Sequence, residues 1–386
     1  MLANVVEIIT TVLTFAGLAY YLLALWSARA FLREAQKASG DFHPPVSILK
    51  PLKGLDAEMY ESFVSHCRQN YSGDYEILFG VSSLDDSAVS AVQRLQAEFP
   101  ERRIQLILCP EILGTNGKVS NLTQMLPQVQ YDYILINDSD IKVSPNYLSR
   151  VLAPFAANVK QKQVGMATAP YRGRAHKTIG SKMEALGIAT DFIAGVFVAR
   201  KLDGGIRFGL GSTLAVSRVA LEAAGGLTPL VDYLADDYQL GARIAAAGYE
   251  VVLVPEVVET SVPAYRFSQY LAHQLRWAHG VRDSRKLGYL GLAISYGLAW
   301  ACINLIASGF DLSAIALFSL TFLARIALAL SVGVGILGDR QVMRDLWLLL
   351  PRDIIALGIW AWSYAGNSIT WRNQTFTLKD GKLMKP

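Results

Sequence analysis

Short apolar runs alternate with amphipathic segments through the first half of the chain. Four runs of aliphatic and β-branched residues predict strands, at 46–49, 76–81, 104–108 and 133–136. The spacing of apolar residues between them predicts helices at 59–69, 87–99 and 118–126. Strands that alternate with helices are typical of βαβ units. The pattern therefore predicts an α/β domain with a mostly parallel sheet.

Long apolar segments lie near the two ends of the chain. Val5–Trp26 is long enough to cross a bilayer. No basic region precedes it and no clear cleavage site follows it, which favours a retained transmembrane helix over a signal peptide. Two to three C-terminal membrane helices are predicted from three further segments, at about 288–307, 312–337 and 354–369. The last is short, so a re-entrant or interfacial placement stays open.

Charged residues accompany two of these apolar segments. Arg325 lies inside the second C-terminal segment, and Arg352-Asp353 opens the third. A charge at membrane depth is costly, so we expect these side chains to face protein, to snorkel or to pair. Arg29, Arg33 and Lys37 follow the N-terminal segment and, by the positive-inside rule, place the next part of the chain in the cytoplasm.

These features predict five parts of the chain: a transmembrane helix at 1–28, an α/β domain at 41–262, an amphipathic interface segment at 263–286, membrane helices at 287–375 and a tail at 376–386. The interface segment mixes aromatic and basic side chains, as helices at a membrane surface do.

Composition narrows the function classes. Only 18% of the residues are charged, against about 25% in soluble proteins. The net charge of +4 is too small to indicate a nucleic-acid partner. The three cysteines are widely spaced and the five histidines form no metal-binding motif, so reduced thiols and no zinc site are expected.

An acidic turn follows the fourth predicted strand. Asp138-Ser139-Asp140 would lie at the carboxyl edge of the sheet, where open α/β sheets bind ligands. Two carboxylates one residue apart are oxygen ligands that can share a divalent cation together with substrate phosphates. By itself, the same motif is also compatible with a solvated surface turn.

Three other motifs accompany this turn in a fixed order. Asp85-Asp86 follows the second strand, Asp236-Asp237 precedes a predicted helix at 239–247, and Gln274-Leu275-Arg276-Trp277 precedes the C-terminal apolar segments. No G-x-G-x-x-G motif follows the first strand, which argues against a dinucleotide cofactor.

This ordered set resembles the membrane-bound glycosyltransferases of the GT-A fold, whose pattern is D, D-x-D, [DE]-D and [QR]-x-x-R-W. The stretches 46–55, 118–122 and 137–141 resemble the ceramide glucosyltransferases of glycosyltransferase family 21, whose bacterial branch includes hopanoid-biosynthesis enzymes. The resemblance covers about residues 5–375. One position departs from it, because His273 stands where the last motif has Gln or Arg.

The resemblance implies roles for the acidic residues. Asp138 and Asp140 would hold Mg²⁺ or Mn²⁺ on the diphosphate of a UDP-sugar, and Asp237 would be the catalytic base. Asp236 would raise the pKa of Asp237 if both were buried. Asp85 or Asp86 would contact the uracil or ribose, although either residue would also suit a helix cap.

Further residues are expected around the two substrates. The donor side comprises Lys50, Lys53, Lys118, Asn121 and Arg276, with Arg276 as a fork of donors to the diphosphate. The acceptor side comprises His273, Gln274 and Trp277. Interfacial anchoring is the alternative for Arg276 and Trp277.

The expected function is inverting transfer of a sugar, preferably glucose from UDP-glucose, to the hydroxyl of a membrane lipid, preferably ceramide. The alternative is a hopanoid acceptor with UDP-N-acetylglucosamine. A different class would be a transporter or scaffold whose domain only binds nucleotide. The expected location is the bacterial inner membrane, in a multi-pass arrangement with the catalytic domain in the cytoplasm. A processive polysaccharide synthase is disfavoured, because four apolar segments are too few for a channel.

Overall fold

The chain groups into two compact units. A computed structural model describes residues 2–35, 42–56, 58–159, 161–371 and 374–385. The first unit contains Met1–Arg33, Arg172–Asp203 and Val262–Leu378, and the second contains Glu34–Tyr171, Gly204–Ser261 and Lys379–Pro386. Lys37 and the predicted domain start at residue 41 lie outside the described residues. The five-part division made from the sequence stays a prediction.

Thirteen strands are formed by the described residues, numbered in chain order: β1 Val46–Pro51, β2 Tyr75–Val81, β3 Arg103–Leu108, β4 Tyr133–Ile136, β5 Asn158–Val159, β6 Lys162–Thr168, β7 Tyr171–Ala175, β8 Leu214–Ser217, β9 Glu250–Leu253, β10 Val258–Val262, β11 Ser368–Trp371, β12 Gln374–Lys379 and β13 Lys382–Met384.

Fifteen α-helices are formed by the same residues: α1 Leu2–Ala35, α2 Met59–Cys67, α3 Ala88–Glu98, α4 Gly117–Met125, α5 Tyr147–Leu152, α6 Ile179–Gly187, α7 Ile193–Leu202, α8 Arg218–Ala223, α9 Asp236–Ala246, α10 Phe267–Ser284, α11 Lys286–Ser295, α12 Gly297–Ala307, α13 Leu312–Ala329, α14 Gln341–Asp345 and α15 Leu349–Trp362.

The second unit is built on one mixed sheet. Its strand order is β3-β2-β1-β4-β8-β6-β5, with β9 beside β6. The pairs β1–β2, β2–β3, β1–β4 and β6–β9 are parallel, whereas β8 is antiparallel to both β4 and β6. The predicted α/β class with a mostly parallel sheet is confirmed. The parallel register puts the ends of β1, β2 and β4 at one edge.

The central strands are apolar because helices cover both of their faces. Every residue of β2 is buried, and the last three residues of β4 are at most 1% exposed. Parallel strands covered on both sides have continuous apolar runs and not an alternating pattern. These continuous apolar runs are what allowed the strands to be predicted from the sequence.

The first unit carries the membrane-compatible helices. Within the described residues, three helical stretches are long and apolar enough to cross a bilayer: Asn4–Glu34, Leu312–Ile336 and Gln341–Ala365. The successive helices α11 and α12 form a fourth candidate that is bent by 54°. This agrees with the prediction of one N-terminal and two to three C-terminal membrane helices.

The boundaries predicted for the last segment were wrong. The helical stretch begins at Gln341, before the predicted start at 354, and Ser368–Trp371 is a strand. The charged pair Arg352-Asp353 was taken as the edge of the segment. In the structure both residues are buried inside the first unit, at 5% and 1% exposure, and they do not mark the start of the helical stretch.

A buried charge network explains this placement. The Arg325 guanidinium contacts both Asp353 carboxylate oxygens, at 2.7 and 3.2 Å. Arg352 bridges Asp353 at 3.0 Å and Asp191 at 2.6 Å. Arg325 also donates to the backbone carbonyl of Thr190 at 3.1 Å. Two positive and two negative groups therefore compensate one another, which is the pairing expected of charges within apolar helices.

Removing Asp353 should destabilise the first unit. Asp353→Ala leaves the Arg325 and Arg352 guanidiniums buried without their shared carboxylate, a loss that costs about 3–5 kcal/mol for buried pairs. We expect a clear fall in the thermal unfolding temperature of the detergent-purified protein. The control is Arg344→Gln, because the Arg344 side chain is 61% exposed in its pair with Asp345. Equal unfolding temperatures for the two variants would contradict the network's importance.

Candidate active site

The acidic turn of the second unit begins directly after β4. Asn137 is fully buried and donates to the Tyr147 hydroxyl at 2.8 Å and to the Ser212 backbone carbonyl at 2.7 Å. Its side-chain oxygen lies 3.3 Å from Nε2 of His66. These contacts fix the start of the turn against the glycine-rich loop 204–213.

Lys50 stabilises the backbone of the acidic turn. It is the fifth residue of β1 and is fully buried. Its Nζ donates to the backbone carbonyl of Asp138 at 2.9 Å and lies 3.4 Å from the Ser62 hydroxyl. Burial lowers the pKa of Lys50 to about 7, although the carboxylates of Asp140 and Asp138 oppose this shift. Its predicted contact with the donor stays a prediction.

The two carboxylates of the turn have different environments. Asp138 receives the Lys118 ammonium at 2.7 Å and its side chain is 41% exposed. Asp140 accepts from the Thr260 hydroxyl at 2.5 Å and from the Ser261 backbone amide at 3.0 Å. Burial raises the pKa of Asp140. The structure thus holds Asp140 in place and leaves Asp138 more accessible.

Lys118 reaches the acidic residues from the first turn of α4. Its Nζ lies 2.7 Å from Asp138 and 3.4 Å from Asp236. Burial disfavours its charge, but these carboxylates outweigh burial and raise the pKa of Lys118. The helix is capped by Asn116, whose side-chain oxygen accepts from the Lys118 and Val119 amides and whose nitrogen donates to Asp236 at 3.3 Å.

The second acidic pair opens α9. The helix begins at Asp236, three residues before the predicted start, so both acids lie in its first turn. Carboxylates are favourable there because the free amides and the helix dipole offer positive charge. Asp237 accepts from the Tyr238 amide at 2.7 Å. Burial and the adjacent Asp236 raise the pKa of Asp237 to about 6, whereas Lys118 lowers it.

Gly211 lies where the two acidic elements meet. A Cβ at this position would be 3.0 Å from Oδ2 of Asp237 and 3.8 Å from Oδ2 of Asp138. Because Gly211 has no side chain, space remains between the carboxylates of Asp138 and Asp237. The next residue, Ser212, has a buried hydroxyl without a hydrogen-bond partner among the described residues.

Other predicted donor residues have different placements. The Asp86 carboxylate links the loop after β1 to the start of α3. It accepts from the Gly54 amide at 3.0 Å and from the Ala88 amide at 2.9 Å. Asn121 is 5% exposed and accepts from the Ser82 hydroxyl at 3.0 Å. Asp85 and Lys53 are exposed on the loops that follow β2 and β1. The donor roles of these four residues stay predictions.

The predicted acceptor residues His273, Gln274 and Trp277 and the predicted donor-binding residue Arg276 belong to the first unit. His273, Gln274, Arg276 and Trp277 all lie on α10, within the segment predicted to be an amphipathic helix. Nδ1 of His273 is 2.9 Å from the Glu184 carboxylate, and the Gln274 amide is 3.5 Å from the same oxygen.

Several contact residues were not singled out from the sequence. Asn116 could have been found from the sequence, because Asn is a preferred N-cap residue and this one stands just before a predicted helix. Asn137, Thr260 and Ser212 act through contacts between distant parts of the second unit. Glu184 lies 89 positions before His273. No spacing rule links such residues.

The fold of the chain is that of the GT-A glycosyltransferases. The solved structure of mannosyltransferase PcManGT from Pyrobaculum calidifontis, with GDP-Man and Mn²⁺, matches 92% of this chain and 98% of its own with a TM-score of 0.57. Sequence identity is 19%, so this likeness concerns the fold.

Sequence comparison identifies the family. The model for Glycosyl transferase family 21 matches residues 9–384, so the chain belongs to this family. Ceramide glucosyltransferase 3 of Caenorhabditis elegans is 25% identical over 274 residues, 71% of this chain and 58% of the relative. A ceramide glucosyltransferase of Candida albicans is 25% identical over 166 residues, 40% of this chain and 30% of the relative. The chain spans about half the length, or less, of these curated relatives.

Asn137 should be important for the stability of the second unit. Asn137→Leu removes the donor to the buried Ser212 carbonyl and to Tyr147, and an unsatisfied buried group costs about 1–3 kcal/mol. We expect a lower thermal unfolding temperature. The matched control is Asn146→Leu, because Asn146 is exposed and, among the described residues, its side chain hydrogen-bonds only to the exposed Asn70. An unchanged unfolding temperature for Asn137→Leu would refute this role.

Proposed function

We propose that this protein transfers one sugar, with inversion, from a nucleoside-diphosphate sugar to the hydroxyl of a membrane lipid. UDP-glucose and ceramide are the preferred substrates, in view of the ceramide glucosyltransferases among the relatives. The observation that carries the proposal is that Gly211 lies beside both Asp237 and Asp138, since a Cβ at this position would be 3.0 and 3.8 Å from their carboxylate oxygens.

Asp237 is the catalytic base of this proposal. Attack by a lipid hydroxyl on the anomeric carbon requires that its proton be accepted as the new bond forms and the bond to the diphosphate breaks. A carboxylate with a pKa of about 6 is largely ionised at neutral pH yet more basic than an ordinary aspartate. One such base suffices for a single displacement.

Asp138 and Asp140 are proposed to hold a divalent cation. Both offer oxygen ligands on one turn, and the Lys118 ammonium already occupies a position that suits positive charge beside Asp138. In the described ranges no group of three or more His, Cys, Asp or Glu residues has metal-binding geometry. The carboxylates of Asp138 and Asp140 would be the protein ligands of this cation. When bound, Mg²⁺ or Mn²⁺ would neutralise charge on the leaving diphosphate.

Fixed cations and hydrogen bonds would position the donor. Lys118 is proposed to contact the diphosphate, and Arg276 adds a bidentate donor. Lys53, Asp85 and Asp86 lie on loops after β1 and β2 and are proposed to bind the nucleoside, while Asn121 and Lys50 hold those loops and the acidic turn.

The first unit suits a lipid acceptor. It contains three helices that are long and apolar enough to span a bilayer, counted over the described residues. His273, Gln274 and Trp277 are proposed to bind the acceptor on α10, an aromatic and basic helix next to these spans in sequence. The reaction is proposed to take place at the cytoplasmic face of a bacterial inner membrane.

The function is tested by product analysis of the purified full chain in nanodiscs. A panel of UDP-sugars is supplied with ceramide or a hopanoid, and products are identified by mass spectrometry. We expect glucosylceramide. Sugar transfer to the hopanoid alone would support the alternative acceptor, and no transfer to either lipid would contradict the proposal and favour a nucleotide-binding scaffold.

Asp237→Asn should lower the rate of sugar transfer by about 10²–10⁴-fold, because the amide cannot accept the hydroxyl proton. The affinity for UDP should change little, since the substitution keeps the shape of the side chain. Asp132→Asn is the matched control, because the Asp132 side chain is 84% exposed. A near-wild-type rate for Asp237→Asn would show that another group is the base.

The rate should depend on the ionisation of Asp237. The base is active when deprotonated, so kcat/KM should fall as the pH drops below about 6. Lys118→Met removes a charge that lowers the pKa of Asp237, and the acid limb should move to higher pH. Lys162→Met, at an exposed position, should leave it in place. An acid limb that is unmoved by Lys118→Met would contradict the coupling.

A further inference from the structure

Glu184 is a buried carboxylate of the first unit that the proposed reaction does not use. It lies on α6, is 5% exposed and meets α10 through Nδ1 of His273 at 2.9 Å. The Gln274 amide is 3.5 Å from the same carboxylate oxygen. Buried carboxylates are retained at a cost and are normally hydrogen-bonded, so this contact fixes both partners.

The contact determines which nitrogen of His273 is available. A carboxylate only accepts hydrogen bonds, so Nδ1 carries a proton in this contact, and in the tautomer with its single proton on Nδ1 the other ring nitrogen, Nε2, is an acceptor. Among the described residues, the Nδ1 contact is the only hydrogen bond of this imidazole. Nε2 is thus set up to receive a donor from a ligand.

Aromatic rings flank the imidazole. The ring centroids of Tyr265 and Trp277 are each 5.3 Å from that of His273, and Phe192 packs on Trp277 at 6.0 Å. The His273 side chain remains 16% exposed. A polar acceptor among aromatic faces matches an amphipathic ligand, with a hydroxyl beside an apolar chain.

The charge at this position argues against the sugar donor. A diphosphate has only acceptor oxygens and negative charge, so the Glu184 carboxylate would repel it and the Nε2 acceptor would not bind it. A lipid hydroxyl is a neutral donor and avoids both conflicts.

We propose that Glu184 is a positioning residue for the acceptor. It fixes the His273 ring so that Nε2 accepts a hydrogen bond from the hydroxyl of the lipid. The inference rests on the proposed function, because it takes the acceptor to be a lipid alcohol. It also gives a reason for His273 at the position where the family motif has Gln or Arg: the pairing with Glu184 makes the residue an acceptor.

The test measures binding of a fluorescent short-chain ceramide to the full chain in micelles by anisotropy, with UDP binding measured in parallel. Glu184→Gln keeps the shape but replaces the charged acceptor of Nδ1–H with a neutral amide oxygen, which makes a weaker hydrogen bond, and should weaken ceramide binding about tenfold. His273→Ala should weaken it at least as much. The double variant should match His273→Ala, because Glu184 acts through the ring. UDP affinity should not change.

Lys182→Gln is the matched control, since Lys182 lies on the same helix and pairs with Asp345 at 3.6 Å. It should leave ceramide binding unchanged. If Glu184→Gln does not fold, Glu184→Asp, whose carboxylate falls short of Nδ1, carries the same expectation.

Unchanged ceramide binding in Glu184→Gln, losses that multiply in the double variant, or an equal fall in UDP affinity would overturn the inference. Absence of ceramide binding by the wild-type protein would also overturn it. A wild-type protein that binds ceramide but transfers no sugar would refute the proposed function alone, and the binding series would still decide the role of Glu184.

Discussion

The ion pair between Lys118 and Asp138 is the interaction on which the acidic edge of the second unit depends. Three carboxylates, of Asp138, Asp236 and Asp237, contribute to the electrostatic environment of this ammonium. Like charges in a partly buried site repel one another strongly, because the effective dielectric constant is well below that of water. Lys118 offsets this repulsion, and it does so from a helix whose first turn is fixed by Asn116.

The same edge combines rigid and adjustable parts. Lys50 and Asn137 hold the backbone of the acidic turn from buried positions, and Thr260 holds Asp140. Asp138 and Lys118 retain more exposure and interact mainly through charge. When a ligand brings a cation and phosphates, the cation can therefore pair with Asp138 and the phosphates with Lys118, while the backbone of the turn stays in place. In the first unit, by contrast, the buried charges compensate one another directly, in the ion-pair network around Arg325 and Asp353.

Local sequence patterns predicted the elements but not the contacts between them. The strand before Asp138 was visible because a covered parallel strand is apolar throughout, and Lys118 was placed correctly on a helix. The segment boundary at Arg352-Asp353 was misjudged, because a charged pair locally resembles the start of an apolar segment, whereas Asp353 pairs with Arg325, 28 positions earlier in the sequence on another helix. Glu184 gave no local signal at all. Such residues acquire their role from tertiary pairing.

Cation binding is the most direct test of the acidic edge as the donor site. Mn²⁺ is titrated into the purified full chain with and without UDP, and bound metal is measured by electron paramagnetic resonance. We predict one Mn²⁺ per chain, bound more tightly with UDP, and loss of this binding when Asp138 and Asp140 are both replaced by Asn. Unchanged Mn²⁺ binding in that double variant, or no effect of UDP in the wild-type protein, would contradict the account.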